Sequence, residues 1–358
     1  MKFPFSLSAK KDLIGLDIGS GAIKLVQLKE SRKGYQLQKF GVKALDPELI
    51  VDGTVMDAGR VVSCIKELLE EQAVKVKDVA LSVSGHSVIV KKINLPVMSE
   101  EELEESIKWE AEQYIPFDIN DVNIDFHILG AGDSQEAKDQ MAVLLVAVKK
   151  DKLTEYTTLV TEAGLNPVVV DVDAFTLENM FGVNYDVREG EVVALVNIGA
   201  SVMNINILKG GTFAFTRDIS IGGNRYNETI QREFNVNYET AEKAKRKEPI
   251  EGIDPEALSN IINNLNMEIS SEVTRSFDYF KTTSTNENID RIFLSGGASK
   301  LPDLLTHLAE KSGAPVEMTN PFNKIEIPEK LFNLQQIQEM APLAAVGVGL
   351  AIRRLGDR

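Results

Sequence analysis

The sequence predicts an α/β protein of two similar lobes, and two observations lead there. The first is a pattern that occurs once in each half of the chain. Asp12 to Leu28 reads DLIGLDIGSGAIKLVQL, and Val192 to Leu208 reads VVALVNIGASVMNINIL. Each is an apolar β run, a turn of glycine and small polar residues, and a second β run, the signature of a β-hairpin. Two such hairpins imply a duplicated architecture with one per lobe; two unrelated hairpins are the alternative. The second observation is a stretch of strands and helices over residues 86–165 that reads as an α/β insertion in the first lobe.

The elements follow in order. Val79 to Val83 and Val88 to Leu95 read as strands, and Pro96 ends the second. Ser99 with Glu102 three residues on is a capping box, so a helix starts there. Leu103, Ile107, Ala111 and Tyr114 give it one apolar face, and Pro116 stops it. Val122 to Leu129 and Met141 to Val148 are strands separated by a polar Gly/Asp/Ser loop. A helix over Leu153 to Ala163 and a strand over Asn166 to Asp173 complete the half. In the second half, Asp254 and Pro255 stand at the N-cap and first position of a long helix. Its stripe runs from Leu258 to Phe280. Arg291 to Leu294 is a short buried strand entering Gly296-Gly297, with a helix after Pro302. Pro342 to Leu355 is small and apolar on all sides, which reads as a buried helix, with a membrane tail as the alternative. The expected organisation is a first lobe at 1–190, a second at 191–341, and a helix at 342–358 packing back at the lobe junction.

Composition narrows the function. A hydrophobic content of 43% with 12 prolines in 358 residues is that of a folded protein of two or more domains. The formal charge of −15 argues against broad nucleic-acid binding, which needs a basic face. One cysteine, Cys64, cannot form an internal disulfide, consistent with a reducing, cytoplasmic setting. No apolar run approaches the roughly 20 residues of a membrane span. The first residues, MKFPFSL, lack the apolar core of a signal peptide and read as a frayed terminus, with a membrane-touching leader as the alternative.

The chemistry sits in the turns. In Asp17-Ile18-Gly19-Ser20-Gly21-Ala22-Ile23-Lys24, glycine and serine let backbone N–H groups converge on an anion. Lys24 on the returning strand can reach the same anion as a point charge. Asp17 can hold a water of a Mg²⁺ shell. A tight turn with a nearby lysine is the plain alternative. Four further pieces fall in the order an interlobe cleft needs. The turn Asn197-Ile198-Gly199-Ala200-Ser201 can face the first. Gly222-Gly223 permits close approach to a ligand. In AEKAKR, Glu242 and Lys245 share a helix face. In GGASKLP, Gly296, Gly297 and Lys300 form a glycine turn at a helix start.

The first turn resembles the first phosphate loop of actin. That resemblance implies that Asp17 positions Mg²⁺ through water, that Gly19, Ser20, Gly21 and Ala22 cradle the phosphates of ATP, and that Lys24 contacts them. Glu242 and Lys245 resemble the ribose-contacting helix of DnaK-type chaperones. Gly296, Gly297 and Lys300 resemble their adenosine turn, and Gly222 and Gly223 a turn near the α-phosphate. The implied fold is a two-lobed actin-like (ribonuclease H-like) ATPase. A closer similarity is to the type IV pilus assembly family PilM, a relative of the division protein FtsA. It is carried by VSGHSVIVKKINLP, EESIKWEAEQYIPFDINDV, DVDAFTLEN, TRDISIGGNRYNETI and APLAAVGVGLAIR. Residues 86–165 then resemble the inserted 1C subdomain of FtsA relatives.

One departure stands out. Actin-like hydrolases usually carry Asp where this chain has Asn197, and the glycine run after it is thinned to Gly199-Ala200-Ser201. An amide can hydrogen-bond but cannot act as a base, so ATP binding with at most slow hydrolysis is the expectation. Asp173 matches the chaperones' water-orienting acid and is the candidate catalytic residue; a helix N-cap is its alternative role. The resemblance further implies a scaffold that binds a short peptide of an inner-membrane pilus protein, PilN in the family, with the membrane reached only through that partner. Trp109, Tyr114, Ile115 and Phe117 either line the peptide groove or pack inside the 1C subdomain. An FtsA-like division ATPase, a small-molecule kinase and a filament-forming partition protein are the competing functions.

Overall fold

The computed structural model describes residues 12–32, 34–131, 140–284 and 287–354. The MKFPFSL segment, the Gly/Asp/Ser loop and the end of the 342–358 segment lie outside them. Strands β1 (Ile14–Ile18) and β2 (Ala22–Ser31) form the first hairpin. They are followed by β3 (Gly34–Ala44), the small pair β4 (Ile50–Val51) and β5 (Thr54–Val55), helix α1 (Ala58–Glu71) and β6 (Asp78–Val83). Next come β7 (Val88–Pro96), α2 (Glu100–Ala111), β8 (Val122–Ala131) and β9 (Gln140–Lys149). Helix α3 (Lys150–Glu162), β10 (Asn166–Val172) and α4 (Asp173–Asn184) lead into the second half.

That half opens with β11 (Val192–Ile198), β12 (Met203–Lys209) and β13 (Thr212–Ile219). Helices α5 (Asn224–Phe234), α6 (Tyr238–Lys245) and α7 (Pro255–Thr283) follow. The chain closes with β14 (Arg291–Ser295), α8 (Leu304–Ser312), β15 (Val316–Met318), α9 (Leu334–Met340) and α10 (Ala345–Ile352).

The duplication is explicit in the sheets. One has the order β10-β6-β1-β2-β3, the other β15-β14-β11-β12-β13. In both, the hairpin and the third strand are antiparallel, and the two crossover strands are parallel to the first strand. The turns match as well. Gly19 N donates to Ala22 O at 3.1 Å, and Gly199 N to Val202 O at 2.9 Å. Asp17 therefore stands opposite Lys24 where Asn197 stands opposite Asn204.

Each lobe has its own core on the outer side of its sheet. The first packs α1 and α3 on Ile14, Leu16 and Leu81; the second packs α5 to α8 on Val196, Ile205 and Leu294. A third core lies between the lobes. There Leu177, Met180 and Phe181 of α4 and Val346, Val348 and Leu350 of α10 meet Val26 and Leu28 of one sheet and Leu195 and Phe293 of the other. The small residues of the last segment have a reason here. A Cβ on Gly349 would come within 1.9 Å of Thr176 O, and one on Gly15 within 2.4 Å of Gly347 O. Only glycine lets α10 lie this close to α4 and β1. The expected single helix from Pro342 is a 3₁₀ turn, Ala341–Ala344, followed by α10.

The insertion is smaller than the sequence predicts. Strands β7, β9 and β8 make a separate three-stranded sheet covered by α2, whose Leu103, Ile107 and Ala111 pack on Ile93, Val143 and Leu145. Helix α3 does not belong to it: Tyr156, Leu159 and Val160 join Val61 and Ile65 in the first-lobe core. The inserted unit thus ends at Lys149 rather than near residue 165, because the apolar side of α3 fits the lobe. The second lobe also ends early. After β15 the chain crosses back, and Glu326 exchanges backbone hydrogen bonds with the edge strand β3, at Tyr35 and Leu37. That covers an edge that would otherwise expose unpaired backbone groups.

Candidate functional site

The two hairpin turns face each other across a cleft of ≈ 970 Å³ between the lobes. A Cβ on Gly21 would sit 2.9 Å from Ala200 Cβ, so at this point the loops nearly touch. On the first-lobe side the cleft is lined by Asp17, Gly19, Ser20, Gly21, Ala22, Lys24 and Asp173. On the second-lobe side it is lined by Asn197, Gly199, Ala200, Gly223, Glu242, Lys245, Gly296, Gly297 and Lys300. Every expected nucleotide residue but one is therefore brought to one surface. The exception is Gly222, which sits behind the second turn: a Cβ there would meet Gly199 O at 2.5 Å and Ala200 O at 2.6 Å. Its glycine serves turn-on-turn packing and is not part of the cleft lining.

The first turn concentrates charge. Lys24 Nζ lies 3.1 Å from Asp17 Oδ2, and both side chains are mostly buried. Asp173 is the first residue of α4; Val172 holds the cap position with no side-chain bond, so Asp173 is not the N-cap. The Ser82 hydroxyl donates to Asp173 Oδ1 at 2.6 Å. Burial, and next the charge of Asp17, push the Asp173 carboxyl up to about 6. It is a carboxylate at neutral pH and can accept a proton from a water in the cleft.

The second turn is neutral and internally satisfied. Asn197 Nδ2 donates to Asn204 Oδ1 at 3.0 Å, and Asn197 Oδ1 accepts from Ser295 Oγ at 3.2 Å. Each end of the amide makes one hydrogen bond within the lobe, and the side chain carries no charge to offer a metal's water shell. Asn204 Nδ2 donates in turn to Asp218 Oδ1 at 2.8 Å. Behind the turn, Gly223 N and Asn224 N donate to Gly199 O and Ala200 O at 3.0 and 2.8 Å. Gly296 has φ +90 and a would-be Cβ 2.3 Å from Ile198 O, a position for glycine alone.

On α6, Glu242 pairs with Lys245 and accepts from Arg246 Nη2 at 2.9 Å and from the buried Asn227 Nδ2 at 2.8 Å. Burial works to raise the Glu242 carboxyl, but Lys245 and the other donors outweigh it and lower the value. Burial lowers Lys245 more than Glu242 raises it. Lys300 Nζ donates to Glu339 O at 2.9 Å, tying the Gly296–Gly297 turn to the end of α9.

Several cleft residues carry no recognisable signal in the sequence. Ser82, Gly85 and His86 reach the cleft only because β6 ends there, and Tyr156 and Lys152 only because α3 returns to the lobe. Asn227 acts through Glu242 from a neighbouring helix. Among the described residues no group of three His, Cys, Asp or Glu could hold a metal, and no helix is long and apolar enough to cross a membrane.

The four candidate peptide residues do not form one surface. The helix ends at Ala111, short of the expected Tyr114, and Tyr114 N and Ile115 N both donate to Ala111 O in the turn that follows. Ile115 is buried in the core between α2 and the three-stranded sheet, with Tyr114 and Phe117 packed against it. Trp109 points the other way and is 76% exposed.

The family model for the type IV pilus assembly protein PilM matches residues 15–355. The chain belongs to the PilM family. A solved structure of a PilM-PilN type IV pilus biogenesis complex is similar to this chain at TM-score 0.86 and 29% identity, covering 96% of this chain and 99% of that one. The ethanolamine utilization protein EutJ from Carboxydothermus hydrogenoformans is similar at TM-score 0.57 and 14% identity, covering 95% and 89%. The two-sheet architecture of this PilM-family chain is thus the actin-like ATPase fold.

Proposed function

We propose that this PilM-family chain is an ATP-binding scaffold of the type IV pilus assembly platform, held at the cytoplasmic side of the inner membrane by a pilus protein whose short amino-terminal segment, PilN-like, it docks. The observation that carries the reading is the cleft: loops of both lobes converge on one space, with Lys24 and Asp17 on one wall and the Glu242–Lys245 pair on the other. ATP fits that lining. Its phosphates would meet the backbone of Gly19 to Ala22 and the Lys24 ammonium; Glu242 and Lys245 would hold the ribose, and Gly296, Gly297 and Lys300 the adenosine. Mg²⁺ keeps most of its waters and shares the rest of its shell with phosphates, so the single carboxylate of Asp17 suffices to anchor it. Asp173 would orient a water, and the engaged amide of Asn197 supplies neither a second base nor a charge, which favours binding over turnover.

For the peptide, the burial of Ile115 favours a groove elsewhere. A second concavity of ≈ 180 Å³, with an apolar side of Ile89, Val90, Val172 and Ala174 and a polar side of Lys91, Asp173, Thr216, Arg217 and Asp218, lies where β7, β10 and β13 meet, each the edge strand of its own sheet. An extended segment with apolar anchors fits such a place. Titrating a fluorescent peptide from the head of the neighbouring membrane pilus protein, with and without Mg·ATP, tests the reading. Peptide affinity is expected to depend on ATP, and Thr216→Arg to abolish it while Trp109→Ala leaves it. Absence of peptide binding in both conditions would overturn the scaffold role.

A further inference from the structure

One hydrogen-bonded chain of buried side chains leaves the cleft and ends in the other lobe. It begins at Ser295, the residue before Gly296-Gly297, and passes through Asn197 and Asn204 to Asp218 on β13. Asp218 Oδ2 then accepts from the backbone N–H of Gly85 at 2.6 Å. Gly85 lies in the first lobe, between β6 and β7, where the chain enters the 1C subdomain. A second bond crosses at the same place: Ser220 Oγ and His86 Nε2 are 2.6 Å apart. We propose that Asn197, Asn204 and Asp218 are positioning residues, a polar relay that fixes the entry of the 1C subdomain according to the state of the nucleotide turns. This rests on the nucleotide reading above and adds a route from that site to the β7–α2–β8–β9 unit.

The relay has a direction, and the direction explains the amide of Asn197. Gly85 N–H can only donate, so Asp218 must accept there, and its other oxygen takes the Asn204 amide. Asn204 then has only its oxygen for Asn197, which must donate. An amide does so; a carboxylate cannot. With Asn197→Asp, Asn204 has to turn its amide round, and its oxygen then meets Asp218 oxygen, acceptor against acceptor. Asp218→Asn alone is tolerable, because all three amides can turn together and end on the Ser295 hydroxyl, which accepts as well as donates. In the double variant, Asn197→Asp with Asp218→Asn, every donor again meets an acceptor. The new carboxylate accepts from Ser295 and from the turned amide of Asn204. The Asn204 oxygen accepts from the new amide on β13, whose own oxygen accepts from Gly85.

Exchange of the Gly85 amide, followed by NMR on glycine-labelled protein, reads the relay directly. In the nucleotide-free protein Asn197→Asp is expected to speed that exchange about tenfold, one lost hydrogen bond's worth. Asp218→Asn and the double variant stay near the wild type. With Mg·ATP the wild type and the double variant slow further, and Asn197→Asp does not. An Asn197→Asp protein that exchanges like the wild type, or a double variant no better than Asn197→Asp, overturns the relay. A purely structural role would make the two substitutions add rather than cancel. A wild type that binds no ATP in the same samples overturns the nucleotide reading and the coupling built on it, while the nucleotide-free ordering still decides whether the relay itself exists.

Discussion

The two hairpins share strand order, register and turn hydrogen bonds, yet their facing pairs differ in kind. In the first lobe the pair is Asp17–Lys24, a charged couple 3.1 Å apart on the cleft wall. In the second it is Asn197–Asn204, a neutral couple 3.0 Å apart whose remaining atoms are consumed by Ser295 and Asp218. The same backbone thus places a charged pair on the cleft wall on one side and a neutral hydrogen-bond network on the other. Duplication fixed the geometry, and side chains divided the labour. In the proposed function the first hairpin is the one that would meet phosphate and metal. The second is built to be held in place, braced from behind by Gly222 and by the backbone of Gly223 and Asn224.

The contrast can be broken most forcefully at the glycines. Gly296→Ala forces a Cβ within 2.3 Å of the Ile198 backbone at φ +90 and should cost about 2–4 kcal/mol of stability, overpacking and strain together. Gly19→Ala meets only the flexible end of Lys24, at 3.0 Å, and should cost under about 0.5 kcal/mol. Thermal melts of the two variants settle it; equal losses would mean that the first turn is braced like the second.

A smaller effect tests the charge of the first lobe. The Asp173 carboxyl is raised from 3.8 to about 6, so the folded protein holds that proton more tightly than the unfolded chain. Its contribution is present in full below pH 4 and is lost as pH rises through 6. Asp173→Asn does not titrate and can still accept the Ser82 bond. It should therefore be more stable than the wild type by about 3 kcal/mol at pH 8, the difference vanishing near pH 4. Glu178, pushed up to about 7 mainly by burial, gives the same sign in both proteins and drops out of the comparison. A pH-independent difference in denaturant midpoints would contradict the assignment.

Much of this is legible in the sequence. Hairpin patterning locates both turns, the Ser99–Glu102 capping box is present, and Asp254 caps a helix that starts at Pro255. What the sequence conceals is tertiary. The periodicity of α3 says that one side is buried but not against which core, so the predicted insertion is too long. Gly222 and Gly223 look alike in a row of letters, and only the fold puts one behind the turn and the other on the cleft. Trp109 and Ile115 are both large and apolar and close in sequence; Trp109 falls on the outer face of α2, and the turn after Ala111 carries Ile115 inside. The relay joins residues more than a hundred positions apart, Gly85 and Asp218, which no local pattern signals.

The division of labour between the hairpins is tested most directly by calorimetric titration of Mg·ATP into Lys24→Ala and Asn204→Ala side by side. Lys24→Ala should keep its melting temperature and lose about 1.5–3 kcal/mol of ATP affinity, the worth of a charge-assisted phosphate contact. Asn204→Ala leaves Asn197 and Asp218 without their partner and should lose about 1–3 kcal/mol of stability, while its folded fraction binds ATP within about threefold of the wild type. Unchanged affinity in a folded Lys24→Ala protein, or an equal loss of affinity in both variants, would contradict the account.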